Sequence, residues 1–481
     1  MQLISFELFF LAFLTLLLYA LCPKRVRWVI LLLSSAVFFC FSGLFSLLLI
    51  LFYTLSSYIL ALVVQGTLRQ ESVLDKRKKG FFICLLGCFA LVLCFTLVRE
   101  LSPIGAVGIS FYSLRVISYL VDVYRGKIVA ERNFFKYALF ATFFPLAFLG
   151  PLSLYRDIKE SLYKGDSPCF EDIVSGIFRI SYGAFKKLVI ANALTSPLYT
   201  MAEDTDRYCG LYIAFVIVFY TVLVYCDFSG GIDICLGLSR LFGITPHENF
   251  DRPFLSTSTR EFWNRWHITL GEWFEEYVFY PLSFSRIMQG FSRRCRKMFG
   301  PRIGKRLPLY IATMLTWILT GLWHGLKGHF VAWGLINGVI VLVSRELDVG
   351  KRRKEKSKLT DLLRRIRVFF VIGAVRMLDL YKSLSVSIKM LGGMILSPFS
   401  SRPFLTGLFE AIDPLSLCVV MGALLVLLFV GDAKDYSKRM GKSPHAVILC
   451  TLFLIVSTLV LGKYGQGFDS SDFIYSHFNG G

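Results

Sequence analysis

Acidic residues are scarce in this chain, and metal-ligand patterns are missing from it. Thirty-three Asp and Glu stand against 53 Lys and Arg in 481 residues. The twelve cysteines are scattered. No CxxC pair or Cys/His cluster has ligand spacing, so neither a zinc site nor any other metal site is expected. Cys84 and Cys88, inside "FFICLLGCFALVLCF", read as buried thiols. No sizeable soluble domain, internal repeat or low-complexity tract appears. The first apolar run, "MQLISFELFFLAFLTLLLYALC", has no basic residue before it and Lys24, Arg25 and Arg27 after it. A signal peptide has the reverse polarity, so this run reads as a retained first span with the N-terminus outside.

What is present is apolar surface. The chain is 55% hydrophobic, and its apolar runs recur at lengths near the roughly 20 residues that cross a bilayer. The net charge of +20 raises nucleic acid as a partner. The Lys and Arg cluster in short loops beside apolar runs, however, which is the mark of cytoplasmic loops against membrane lipid. Nucleic acid is therefore not expected. The class is an all-α polytopic integral membrane protein.

The basic loops thread the chain. The run 28–65 goes out and returns through "FSG", 81–98 exits, and 103–121 comes back to Arg125 and Lys127. Residues 134–152, crowded with Phe, Pro and Gly, read as a re-entrant or kinked element. An amphipathic stretch lies near 171–190, an external loop "AEDTD" at 202–206, and a span at 208–226. Two basic loops, "SRRCRKMFGPRIGKR" (292–306) and "KRRKEKSK" (351–358), are expected in the cytoplasm, so the hairpin 307–344 between them turns on the far side. Spans at 368–397, 414–430 and 445–462 follow, then an external acidic tail. About eleven membrane-embedded segments are expected. They form N-terminal helices at 1–100, a core at 101–345 and C-terminal helices at 346–481.

Polar groups in apolar surroundings mark the candidate site. "TGLWHGLKGHFVAWG" places His324 at the turn of the 307–344 hairpin, and an ionisable group inside a membrane is a functional hypothesis by default. "STREFWNRWHITLGEWFEEYVFYPL" (258–282) reads as one helix that lies at the interface or lines a wet cavity, started by Thr257 or Ser258 with Glu261 in capping-box register. Helical spacing puts Phe262, Trp266, Trp273 and Tyr277 on one stripe, with His267 beside it. The stretch 224–254 carries Asp227 and Asp233 among glycines. It reads as a structural network, with an ion or Arg240 as partner. Arg115 reads as buried.

These segments resemble the membrane-bound O-acyltransferase (MBOAT) family, in the branch of the alginate O-acetyltransferase membrane subunit. The resemblance rests on "GISFYSLRVISYLVDVYRG", "CDFSGGIDICLGLSRLFGI", "ENFDRPFLSTSTREFWNRWHITLGEWF" and "GLWHG…FVAWG", in the family's order and spacing. "DFIYSHF" near the end is similar to that branch's closing motif, and the teichoic acid D-alanylation membrane protein shares the "FWNRWH" pattern. The resemblance implies a helical core with re-entrant or interfacial helices around a central tunnel. It implies His324 as the catalytic histidine of the "WHG" motif and His267 as the second polar group of the chamber. Four positions depart from the branch. Glu275 and Glu276 replace an Arg-Asp pair, Gly328 stands where an aromatic is usual, and Asn337 stands where histidine is frequent.

The expected activity is O-acyl transfer. An acyl group, acetyl in the first instance, would pass from a cytosolic thioester to a hydroxyl of a cell-surface polysaccharide or of an intermediary partner. The donor would be acetyl-CoA or an acyl carrier protein, and no cofactor would be resident. His324 would act as general base or as transient acyl carrier. Asn264, Trp266 and Trp323 are candidate substrate-binding residues. A separate extracytoplasmic acyltransferase or polysaccharide-modification protein is the expected partner, and the location is a bacterial cytoplasmic membrane with both termini outside. Two other readings stand beside this one: D-alanyl transfer to teichoic acid, and, from another class, a transporter or flippase.

Overall fold

The computed structural model describes residues 3–69, 73–101, 108–348, 357–397, 404–431 and 444–464. Its first helices are α1 (Phe6–Leu21), α2 (Arg27–Phe41), α3 (Leu44–Arg69), α4 (Val73–Leu101), α5 (Ile109–Arg125), α6 (Phe134–Thr142) and α7 (Tyr155–Lys164). Next come α8 (Phe170–Phe185), α9 (Asn192–Glu203) and α10 (Leu211–Arg240), then three short pieces, α11 (Thr259–Trp263), α12 (Ile268–Phe274) and α13 (Tyr280–Ser283). The rest is α14 (Arg286–His324), α15 (Gly328–Asp348), α16 (Lys358–Tyr381), α17 (Leu384–Leu396), α18 (Phe404–Ala411), α19 (Pro414–Val430) and α20 (Pro444–Leu461). The described residues are all-α, with one isolated antiparallel bridge between Phe250 and Trp266.

Burial is inverted relative to a protein folded in water. Phe6, Leu428 and Phe429 are 80%, 78% and 91% exposed, while hydroxyls sit inside the bundle. Thr15 donates to Ser34 across α1 and α2 at 2.7 Å. Thr54 pairs with the Tyr112 hydroxyl, and Ser57 with that of Tyr137, each at 2.6 Å. Lipid tails solvate the apolar exterior, and small polar groups link helices where no water competes.

Among the described residues, five helices are long and apolar enough to cross a bilayer, and the pair α18 and α19, bent by 86°, makes a sixth if counted as one span. Several other apolar runs are short or broken. The kinked element expected at 134–152 is such a case. Here α6 ends at Thr142, a short 3-10 turn follows at Phe144–Leu146, and the chain runs on without helix to Leu154. Buried Arg115 holds this bend by donating to the carbonyls of Phe140, Ala141 and Leu146 at 3.2–3.3 Å. The segment 292–306 is helix rather than loop. It forms much of the first part of α14, which kinks at Gly300, where φ is 79°. The segment 351–358 lies mostly outside the described residues, and the closing motif lies wholly outside them.

The core seam lies between α8 and α10. A Cβ on Gly183 would collide with the Gly230 carbonyl, and one on Gly237 would lie 2.7 Å from that of Gly176, so the two backbones nearly touch. Past this contact the chain makes a π-turn at Lys186–Ala191. Lys186 pairs there with Asp233 and Lys187 with Asp227, all four nearly sealed from solvent. Arg179 also binds Asp233, at 2.9 Å, and spans Glu248 with both terminal nitrogens. The aspartates therefore belong to a structural network. Arg240 pairs with Asp172 instead, at 2.9 Å.

Candidate active site: two histidines in one cavity

His324 is the last residue of α14, and the turn to α15 follows it directly. Small residues let this hairpin close. A Cβ on Gly321 would meet the Phe330 carbonyl, and one on Gly334 would lie 2.5 Å from the Trp317 carbonyl. Buried Arg99 from α4 donates to the carbonyl of Trp323 at 2.8 Å. A cation therefore caps the helix end that carries the histidine, where the dipole favours it. Around the imidazole stand Trp323, Trp333 and Phe330, with ring centres at 4.9, 5.1 and 6.4 Å.

His267 reaches the site by a break rather than along a helix. The single helix expected over 258–282 does not form. Instead α11 ends at Trp263, and Trp266 pairs with Phe250. His267 adopts a left-handed conformation (φ 50°, ψ 50°) at the start of α12. That conformation is rare for residues other than glycine and carries backbone strain. Hydrogen bonds hold it. The Ile268 N–H donates to the Asn249 carbonyl at 3.0 Å. The Asn249 side-chain oxygen accepts from the Thr269 N–H at 3.1 Å and from the Thr269 hydroxyl at 3.0 Å. The start of α11 forms as read: Ser258 caps it by accepting from the Glu261 N–H at 3.2 Å. Glu261 reaches back to Thr257.

Asn249 also sets the tautomer of His267. Its Oδ1 lies 3.2 Å from His267 Nδ1. A backbone N–H already donates to the same oxygen, so that atom is an acceptor and the ring nitrogen facing it carries the proton. The lone pair of the neutral ring is thus on Nε2.

Both histidines line a single cavity of about 470 Å³. Asn264 and Trp266 also line it, whereas Trp323 does not; its ring packs instead on Phe111 at 5.5 Å. Arg376 and Asp379 of α16, which lie outside the motifs read from the sequence, also line it. The run "VIGAVRMLDLY" contained the signal, since two ionisable groups one turn apart in an apolar helix are as unusual as His324. The lining also follows α15 from Phe330 to Arg345. At 1.5 Å per residue this is a reach of about 22 Å. Among the described residues no group of His, Cys, Asp or Glu could hold a metal ion.

The departures from the branch take definite places. Glu276 binds Arg156 through both carboxylate oxygens, at 2.9 and 2.5 Å, and also Lys127. Arg156 reaches on to Asp122 at 2.9 Å. The acid therefore clamps the π-turn at Glu275–Phe279 to α5 and α7. Burial pushes the Glu276 carboxyl up, but hydrogen bonds from Arg156 and Lys127 outweigh it and hold the group at about 2. Asn337 is buried and donates to the Trp333 carbonyl at 2.9 Å, one turn back on α15.

Long apolar helices and a cavity lined by two buried histidines define a multi-pass helical membrane protein. The model of the membrane-bound O-acyltransferase (MBOAT) family matches residues 31–293, and the chain belongs to that family. The match takes in His267 and stops before His324. A probable alginate O-acetylase AlgI of Azotobacter vinelandii is 29% identical over 89% of this chain and 84% of its own length. The peptidoglycan O-acetyltransferase of Helicobacter pylori is 27% identical over 60% of this chain and 56% of its own. The teichoic acid D-alanyltransferase of Bacillus subtilis is 26% identical over 50% and 58% respectively. The protein is an O-acyltransferase of the membrane.

Proposed function

We propose that this enzyme carries an acetyl group from a cytosolic thioester to a hydroxyl of a cell-surface glycan, across a bacterial cytoplasmic membrane. The observation that carries the reading is the shared cavity. His324 and His267 stand together in it, and its lining follows α15 for about 22 Å, a depth that suits a thioester on a long extended arm. Acetyl-CoA and an acyl carrier protein both present such an arm. Two of the relatives' names pair O-acetyl transfer with a glycan, which favours acetyl and polysaccharide over D-alanine and teichoic acid.

In this reading His324 takes the acceptor proton as the hydroxyl oxygen attacks the thioester carbonyl. General-base catalysis of this kind contributes about 10²–10⁴-fold. His267, with its lone pair on Nε2, aligns the reacting groups. The basic first half of α14, with Arg125 and Lys127, faces the cytoplasm, so the donor enters from that side and both termini lie outside. A separate extracytoplasmic protein completes delivery to the glycan.

The test compares surface polymers by mass spectrometry from cells with wild-type protein, with His324→Ala, and with none. Ester-linked acetate should be present only with the wild type. Normal acetylation by a well-expressed His324→Ala protein would end the assignment. D-alanyl esters in place of acetate would select the teichoic acid reading.

A further inference from the structure

Arg376 poses a problem that the two histidines do not solve. It sits on α16, 4% exposed, with its guanidinium carbon 4.2 Å from the ring centre of Trp266. Its Nε and Nη2 are buried and have no hydrogen-bond partner among the described residues. Asp379, one turn on, lines the same cavity, yet these two nitrogens make no bond to it. The indole face offsets part of the charge. A guanidinium always carries its proton and presents five N–H donors in a fixed plane. Burying guanidinium N–H groups without acceptors is costly. Arg376 therefore keeps donors beside two histidines for an acceptor that the described residues do not supply.

We propose that Arg376 is a catalytic residue whose guanidinium N–H groups hold the oxyanion formed during acyl transfer. The inference rests on the acyl-transfer reading above. In the addition step the acceptor oxygen bonds to the thioester carbonyl carbon, its proton moves to His324, and the carbonyl π pair moves onto oxygen. That oxygen carries a full negative charge in a cavity whose walls include Trp263, Trp317, Phe330 and Trp333. Arg376 receives it with donors already in place, which lowers the barrier without reorganisation. In the collapse step the C=O re-forms, the C–S bond breaks, and the thiolate takes the proton from His324 to leave as a thiol. The guanidinium lies over the face of Trp266, and Arg376 lines the same chamber as the two histidines.

The experiment uses inside-out membrane vesicles from the native cells, which hold the full chain with its extracytoplasmic partner and glycan, supplied with [¹⁴C]acetyl-CoA or [¹⁴C]acetyl-phosphopantetheine, and reads label in envelope glycan. Arg376→Gln should lower kcat by about 10²–10³-fold, the range seen when one oxyanion donor is removed. KM and the affinity for S-ethyl-CoA, which has no carbonyl, should stay within about threefold. Arg376→Lys, which keeps the charge and loses the fork, should fall between. It also serves as the working variant if the glutamine protein does not fold. Added methylguanidine should restore part of the rate to Arg376→Ala. A variant with wild-type kcat, or one that loses S-ethyl-CoA binding while keeping kcat, overturns the proposal; the second result would make Arg376 a donor-phosphate anchor. Loss of thermal stability with unchanged turnover per folded molecule would also overturn it. If the wild type transfers no label from either donor, the acyl-transfer reading and this proposal fall together. A wild type that transfers beside an unimpaired Arg376→Gln removes only Arg376.

Discussion

The seam between α8 and α10 and the cavity beneath α15 both bury charge, but they treat it in opposite ways. At the seam each cation meets an acid: Lys186 with Asp233, Lys187 with Asp227, Arg179 with Asp233 and Glu248. Nothing is left over to react, and the glycines press the helices together around the pairs. In the cavity two guanidinium nitrogens of Arg376 make no hydrogen bond among the described residues, Asn249 takes one nitrogen of His267, and aromatic rings form part of the wall. Saturated polarity builds a scaffold, and polarity with capacity to spare is where chemistry takes place.

Mutations should separate the two regions. His324→Ala should lower transfer by about 10²–10⁴-fold with little change in melting temperature, since the ring stands at a helix end beside the cavity. A large loss of stability would move His324 into the scaffold class. Asp227→Ala should do the reverse. Breaking a buried ion pair by removing one partner costs about 3–5 kcal/mol, read as a sharp loss of folded protein in detergent, with turnover per surviving molecule near wild type. Asn249→Ala should sit between the extremes. It removes the acceptor used by His267 and Thr269, at about 1–3 kcal/mol for buried donors left unsatisfied. It should also lower kcat, and a steady kcat would reduce Asn249 to a loop brace.

The smallest effect concerns pH. Glu276 titrates at about 2 in the folded protein against an ordinary value of 4.5. Its stabilising contribution is complete above 4.5 and fades as the pH falls toward 2. Melting temperatures between pH 5 and pH 3 should therefore drop in the wild type and drop less in Glu276→Gln. Equal slopes would show that the clamp to Arg156 contributes little.

Much of this site was legible because lipid leaves few reasons to tolerate a histidine. The hairpin between two basic stretches placed His324 at a turn without any structural knowledge. Counting residues at helical spacing failed at 258–282, because the break at His267 has no glycine or proline to announce it. The hydrogen bonds that hold the turn come from Asn249, 18 residues upstream, and a local pattern cannot register them. Arg376 escaped for a different reason. It lies more than a hundred residues beyond His267, in a helix whose apolar stripe drew attention away from its one buried cation. The two basic stretches also look alike in sequence, yet 292–306 is ordered helix around a kink.

The unusual backbone at His267 bears on how its role should be dissected. Alanine there would change two things at once, removing the ring and placing a residue poorly suited to positive φ at the hinge between α11 and α12. Asparagine tolerates that geometry far better and has no basic nitrogen. His267→Asn is therefore the replacement that keeps the hinge while deleting the base. By the same reasoning, drift at this position should run toward asparagine or glycine before it reaches alanine or leucine.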